Sequence, residues 1–161
     1  TPVVLPACQG PQKVALADVN NDLELDILVA CRLDGQMGLF LNQGDGVFGD
    51  RVDFLVGGAP TNLATGDFND DGNVDVVTND VTDGGFRIML GDGTGQFGPA
   101  FNFPSGDEPT SLAFADIDGD GALDVIMGHD NAQTITTHRN LCPFCGDGIA
   151  NDAIPCPEDM P

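Results

Sequence analysis

Three stretches of the chain carry the same nine-residue pattern of oxygen-bearing side chains: Asp18-Val-Asn20-Asn-Asp22-Leu-Glu24-Leu-Asp26, Asp67-Phe-Asn69-Asp-Asp71-Gly-Asn73-Val-Asp75 and Asp116-Ile-Asp118-Gly-Asp120-Gly-Ala122-Leu-Asp124. Each begins 49 residues after the one before, at residues 18, 67 and 116. Carboxylates this close repel one another unless a cation lies between them. Calcium accepts six to eight oxygens at about 2.3–2.6 Å in a forgiving geometry. The pattern therefore predicts one hard cation per loop, about three Ca2+ in all. Positions 1, 3, 5 and 9 supply side-chain oxygens: Asp18, Asn20, Asp22 and Asp26; Asp67, Asn69, Asp71 and Asp75; Asp116, Asp118, Asp120 and Asp124. Position 7 (Glu24, Asn73 and Ala122) supplies its backbone carbonyl. Gly72 and Gly121 fill position 6, where a tight loop needs φ > 0. Leu23 stands there in the first copy, which predicts the most strained or weakest of the three sites.

An EF-hand spaces its ligands similarly, but it requires an acidic residue at position 12 and a helix on each side. Position 12 here is Val29, Thr78 and Met127. The last ligand of each loop lies inside Leu25-Asp-Ile-Leu, Val74-Asp-Val-Val or Leu123-Asp-Val-Ile, short apolar segments that read as strands. Each loop therefore joins two strands, and a fixed period of this length marks a repeat architecture.

The alignment at 49 residues extends beyond the loops. Pro11, Pro60 and Pro109 coincide, as do Gly44 with Gly93, Phe48 with Phe97, and Gly49 with Gly98. In the second copy the strands are expected at about 61–67, 74–79, 85–91 and 97–104, the last after the turn Gly91-Asp-Gly-Thr-Gly-Gln; Asp-Gly between apolar runs is a hairpin signal. Four antiparallel strands per ~45 residues is the size of one propeller blade. Asp67-Phe-Asn-Asp-Asp-Gly-Asn-Val-Asp-Val-Val77, Leu90-Gly-Asp-Gly-Thr-Gly-Gln-Phe-Gly98 and Gly57-Gly-Ala-Pro60 together resemble the FG-GAP/VCBS repeats of integrin-α-type β-propellers and of many secreted bacterial proteins. The resemblance spans residues 2–140 and implies an all-β fold of three four-stranded antiparallel blades, at about 11–55, 60–104 and 109–140. It also implies calcium in each loop, on the residues named above. The first copy departs from the family pattern at Leu23, and the third lacks the Gly-Asp-Gly-x-x-Phe-Gly turn in its expected place.

The ends do not match. Residues 3–6 align, at an offset of 98, with the fourth strand Phe101-Asn-Phe-Pro104, so residues 2–6 read as an orphan fourth strand. The third copy supplies three strands only, at 110–116, 123–128 and about 133–139. The orphan strand is expected to complete the last blade, within the same chain or in a neighbouring one. Exchange between chains would be strand addition and would build a ring or a filament.

The 161 residues fit one domain and a tail, and carry a formal charge of −21. That charge excludes nucleic acid and anionic membrane surfaces as partners. Four acidic residues in each loop, counting Glu24 and Asp70, account for twelve of the 26. No apolar run reaches the ~20 residues that cross a bilayer. Five Cys and loops suited to millimolar calcium predict a secreted or cell-surface protein. Cys8 precedes the first strand of the first blade and Cys31 ends its antiparallel neighbour, which predicts a Cys8–Cys31 disulfide. Residues 141–161 form a Cys-rich tail in which Cys145-Gly-Asp-Gly-Ile is similar to the opening of short Cys-rich modules in secreted myxobacterial proteins; Cys156 is expected to pair with Cys142 or Cys145. Cys142-Pro-Phe-Cys145 lacks the βαβ context of a redox motif.

No GxSxG, HExxH or Walker loop is present. Paired acids of the glycosidase kind abound, but they fall in the repeated loops, and an active site need not recur three times in register. The sequence therefore predicts a non-catalytic calcium-binding module for adhesion or surface assembly. The alternative is a carbohydrate- or peptide-binding propeller face attached to a secreted enzyme.

Overall fold

A computed structural model describes residues 2–106 and 108–140. The Cys-rich tail, with its expected Cys156 pairing, lies outside the described residues. All regular structure among the described residues is β. Strands β1 (Pro11–Ala17), β2 (Asp26–Cys31), β3 (Gln36–Phe40) and β4 (Val52–Leu55) form the first antiparallel sheet in sequential order. β5 (Leu63–Gly66), β6 (Asp75–Asp80), β7 (Gly85–Met89) and β8 (Phe101–Pro104) form the second. β9 (Pro109–Ala115), β10 (Asp124–His129) and β11 (Thr134–His138) form a third sheet of three strands. These are the three blades of the sequence reading. The expected fourth strand at 97–104 is interrupted: Phe97 bridges Gly91, then Gly98-Pro99-Ala100 intervenes before β8. Pro99 offers no N–H to a ladder.

The second strand of each blade is central, and its two faces meet different neighbours. Val76 packs with Leu28, Ala30, Met37 and Leu39 between the first and second sheets, whereas Val77 packs with Phe86, Ile88, Val125 and Met127 between the second and third. This is why these strands read as continuous apolar runs rather than as alternation. Phe68 and Phe114 close the second interface edge-to-face, with ring centroids 4.6 Å apart. The outermost faces break the pattern in a regular way. Leu63 is 1 % exposed between sheets, while its counterpart Val14, 49 residues earlier, is 56 % exposed. Met37 and Phe86 are fully buried, while their counterpart Ile135 is 74 % exposed.

Residues 2–6 form no strand, so completion of the third blade within the chain does not occur. Leu5 instead packs on Cys8, Val29, Cys31 and Phe40 of the first blade, and the Pro6 carbonyl accepts a 3.1 Å hydrogen bond from Arg51. The Cys8–Cys31 disulfide, with Cα atoms 5.7 Å apart, pins this segment to β2 and holds it on the first sheet.

At the end of the blades away from the acidic loops, residues 31, 80 and 129 occupy one register position, and Cys8, Gly58 and Gly106 lie against them. Cys31 bonds Cys8. Asp80 is wholly buried and accepts from Arg87 Nε at 2.9 Å and Nη2 at 2.6 Å, and from the amides of Thr82 and Asp83. Burial pushes its carboxyl up, but the Arg87 hydrogen bonds, the two amides and the Arg87 charge outweigh that, and its pKa lies below the usual carboxylate range. Gly57 and Gly58 lie directly against this pair, and a Cβ on Gly58 would overlap the Asp80 carboxylate. In the third blade His129 lies beside Gly106 and is 2.9 Å from the Thr136 hydroxyl.

Candidate metal centres

Each acidic loop leaves the sheet at a paired residue and returns at another: Ala17 pairs with Asp26, Gly66 with Asp75, and Ala115 with Asp124. Within the loop the chain folds back on its own carboxylates. Position 1 accepts the amides of positions 5 and 6. Asp18 receives Asp22 and Leu23 at 3.1 and 2.8 Å, Asp67 receives Asp71 and Gly72 at 3.2 and 2.8 Å, and Asp116 receives Asp120 and Gly121 at 3.2 and 3.1 Å. Position 5 accepts the amide of position 7 at 2.9, 2.8 and 2.9 Å in the three copies. These bonds draw positions 1, 3 and 5 together around a common centre, leaving each carboxylate lone pairs to spare.

The tight winding requires left-handed backbone. Gly72 and Gly121 have φ of 84° and 96°, and Leu23, at the same position, has φ of 73° with its side chain in solvent. A non-glycine residue held there stores roughly 1–3 kcal/mol. The strain expected at Leu23 is therefore present in the backbone.

Position 9 does something the sequence did not reveal. Asp26, Asp75 and Asp124 are fully buried. One oxygen of each accepts the amide of loop position 2 (Val19, Phe68, Ile117) at 3.0, 2.8 and 3.0 Å. The other accepts a backbone amide from beyond the third strand, Asn42, Gly91 or Asn140, at 2.8 Å each time. Residues 42, 91 and 140 again differ by 49. Position 9 thus ties its loop to the exit of the third strand. Burial pushes the Asp75 carboxyl up to about 6; the Gly91 and Phe68 amides pull it down, and the nearby charges of Asp71 and Asp67 push it further up. Its ionised form is thus less favoured than that of an exposed carboxyl, and a nearby positive charge would favour it.

Each of the first two loops also touches the next blade. Val19 accepts from the Gly95 amide at 3.0 Å, Asn21 Nδ2 donates to Asn73 Oδ1 at 3.3 Å, and Asn140 Nδ2 donates to the Phe68 carbonyl at 2.7 Å.

The FG-GAP-like repeat matches residues 18–78 and again residues 67–127, so each match starts at one acidic loop and runs through the next. The chain belongs to the FG-GAP-like repeat family. No curated protein matches it significantly. FG-GAP repeats often bind calcium and are in general non-catalytic, and the donor chemistry here fits that ion. Every candidate ligand is an oxygen, which suits a hard cation. Oxygens of Asp116, Asp118 and Asp120 lie within 4.8 Å of one another, about the span across one ion with bonds of roughly 2.3–2.6 Å. In the FG-GAP loops at 18–26 and 67–75 positions 3 and 5 are linked directly, by Asn20 to Asp22 at 2.8 Å and Asn69 to Asp71 at 2.9 Å. At position 7, the Glu24, Asn73 and Ala122 side chains are not needed for the loop's own bonds, in keeping with a carbonyl role there.

Proposed function

We propose that this chain is a calcium-rigidified, non-catalytic extracellular repeat module, acting in adhesion or as a structural subunit of a surface assembly or filament. The observation that carries this reading is the recurrence of one bonded loop three times, each joined through position 9 to its own sheet. Asp18, Asn20, Asp22 and Asp26, their counterparts in the other two loops, and the carbonyls of Glu24, Asn73 and Ala122 would hold the ions. A bound ion would cancel the carboxylate repulsion within each loop, and its binding energy would become folding energy. At a hundredfold excess over Kd each occupied loop would contribute about 2.7 kcal/mol. Thermal melts in millimolar Ca2+ and after exhaustive chelation test this: the chelated protein should melt more than about ten degrees lower, and coincident melts would defeat the reading.

A second reading, strand addition between copies, is favoured by the last sheet, which has three strands among the described residues, and by residues 2–6, which pair with no described strand and expose Val3 and Val4 at 74 % and 87 %. An unpaired edge is a template for another strand. Light scattering should report an oligomer for the full chain and a monomer after deletion of residues 1–7; equal masses would remove this reading.

A further inference from the structure

The three loops each hold four acids but not at the same positions. Position 3 is Asn20 in the first, Asn69 in the second and Asp118 in the third. The two asparagines donate from Nδ2 to the position 5 carboxylate, at 2.8 Å to Asp22 and 2.9 Å to Asp71. An ionised carboxylate has no proton to give, so Asp118 adds repulsion toward Asp116 and Asp120 where its counterparts add a bond. The third loop thus has four carboxylates at ligand positions where the others have three.

A positive charge meets the surplus one. Arg139, just after β11, places Nη1 3.3 Å from Asp118 Oδ2. The residues 49 and 98 positions earlier are Leu90 and Leu41, both packed against the interfaces between sheets. Arginine therefore stands where the repeat otherwise has a core-facing leucine, and it stands beside the one loop with an acid at each of positions 1, 3, 5 and 9. Counting it, the side-chain ligand positions 1, 3, 5 and 9 carry a net −3 in all three loops, Glu24 and Asp70 being further acids at positions 7 and 4 of the first two.

We propose that Arg139 is a resident counter-charge that sets the calcium affinity of the third loop: it balances Asp118 when no ion is bound and competes with the ion for that carboxylate. This rests on the cation reading above. A planar guanidinium on a long stem cannot satisfy several converging oxygens at once as a spherical ion can, so calcium entry must draw Asp118 away from it. The third loop consequently takes up calcium less tightly than its four carboxylates alone would allow. Because the pair is exposed, the effect is modest, about two- to five-fold in Kd.

The position 6 amides of Leu23, Gly72 and Gly121 each donate to position 1 of their own loop, so their NMR resonances report the three loops separately during a calcium titration. Arg139→Leu should tighten binding at Gly121 about two- to five-fold and leave Leu23 and Gly72 unmoved, while Arg139→Lys should stay near the wild type. In an Asp118→Asn background, which restores the asparagine pattern, Arg139→Leu should have almost no effect. If wild-type protein binds calcium at all three loops but Arg139→Leu leaves the Gly121 titration unchanged, or changes it equally with and without Asp118, the proposal is overturned and the cation reading stands. If no loop titrates in the wild type, the cation reading itself fails and the proposal with it. The Arg139 Nε–Hε resonance gives a second readout, and should move in step with Gly121.

Discussion

The two ends of the blades are built in opposite ways. At the loop end, three copies use one set of bonds: position 1 to the amides of 5 and 6, position 5 to the amide of 7, and position 9 to the amides of Asn42, Gly91 or Asn140. At the other end the position shared by Cys31, Asp80 and His129 carries a disulfide in the first blade, a buried ion pair in the second and a histidine beside a threonine hydroxyl in the third. Only in the first blade does this position bind the incoming segment; in the second and third it bonds within its own blade, to Arg87 of β7 and to Thr136 of β11, and the incoming glycines pack against it. The loop end tolerates no such substitution of means. Positions 1, 5 and 9 are Asp in all three copies and position 3 always carries a side-chain oxygen, which is what a shared ligand would demand and chain-holding alone would not.

Mutations can set the two ends against each other. The largest effect is expected at position 9. Asp75→Ala would strand the buried amides of Phe68 and Gly91, each costing about 1–3 kcal/mol, for a total near 4 kcal/mol, and would abolish calcium titration at Gly72. A variant that melts normally would show that position 9 is not the anchor.

Next comes Arg87→Ala at the opposite end, which would leave the Asp80 carboxylate with only its two amides, at a cost of about 2 kcal/mol, while calcium uptake by the loops stays unchanged. The pH dependence sharpens this. With its pKa held below the unfolded value of about 3.9, Asp80 contributes stability above that value and loses it as pH falls through its own lower one. Without Arg87 burial is less opposed, so the Asp80 carboxyl titrates higher and the acid-side loss of stability should shrink. Chemical denaturation from pH 3 to 7 would resolve the two profiles; superimposable profiles would deny Arg87 that role.

The smallest expected effect is a gain. Leu23→Gly would relieve the left-handed strain in the first loop, offset by the glycine's greater unfolded freedom, for about 1 kcal/mol net or about 2–4 °C in Tm. Its calcium affinity should then approach that of the second loop. A lower Tm would mean that Leu23 contributes packing that outweighs its backbone.

Much of this was legible in the chain. Loop and strand alternate in the residue pattern itself, because Val, Ile and Leu flank the acids at fixed offsets, and the Cys8–Cys31 bond followed from the expected pairing of their strands. The anchors at Asn42, Gly91 and Asn140 were not legible: the atom used is a backbone amide, which nearly every residue offers, so no side-chain signature marks it. The tie at positions 31, 80 and 129 was hidden for the opposite reason, since Cys, Asp and His share no property that an alignment by type would detect. Val3-Val4-Leu5 looked like strand material because exposed and paired extended segments have the same composition. What separates them here is the disulfide three residues on, a tether that strand propensity does not encode.

The buried faces of Met37 and Phe86 meet the next sheet at the same register positions, and Leu63 and Leu112 meet the preceding one. A gene encoding such a unit can be lengthened by tandem duplication without inventing a new contact, since every added copy arrives with both of its mating surfaces already matched.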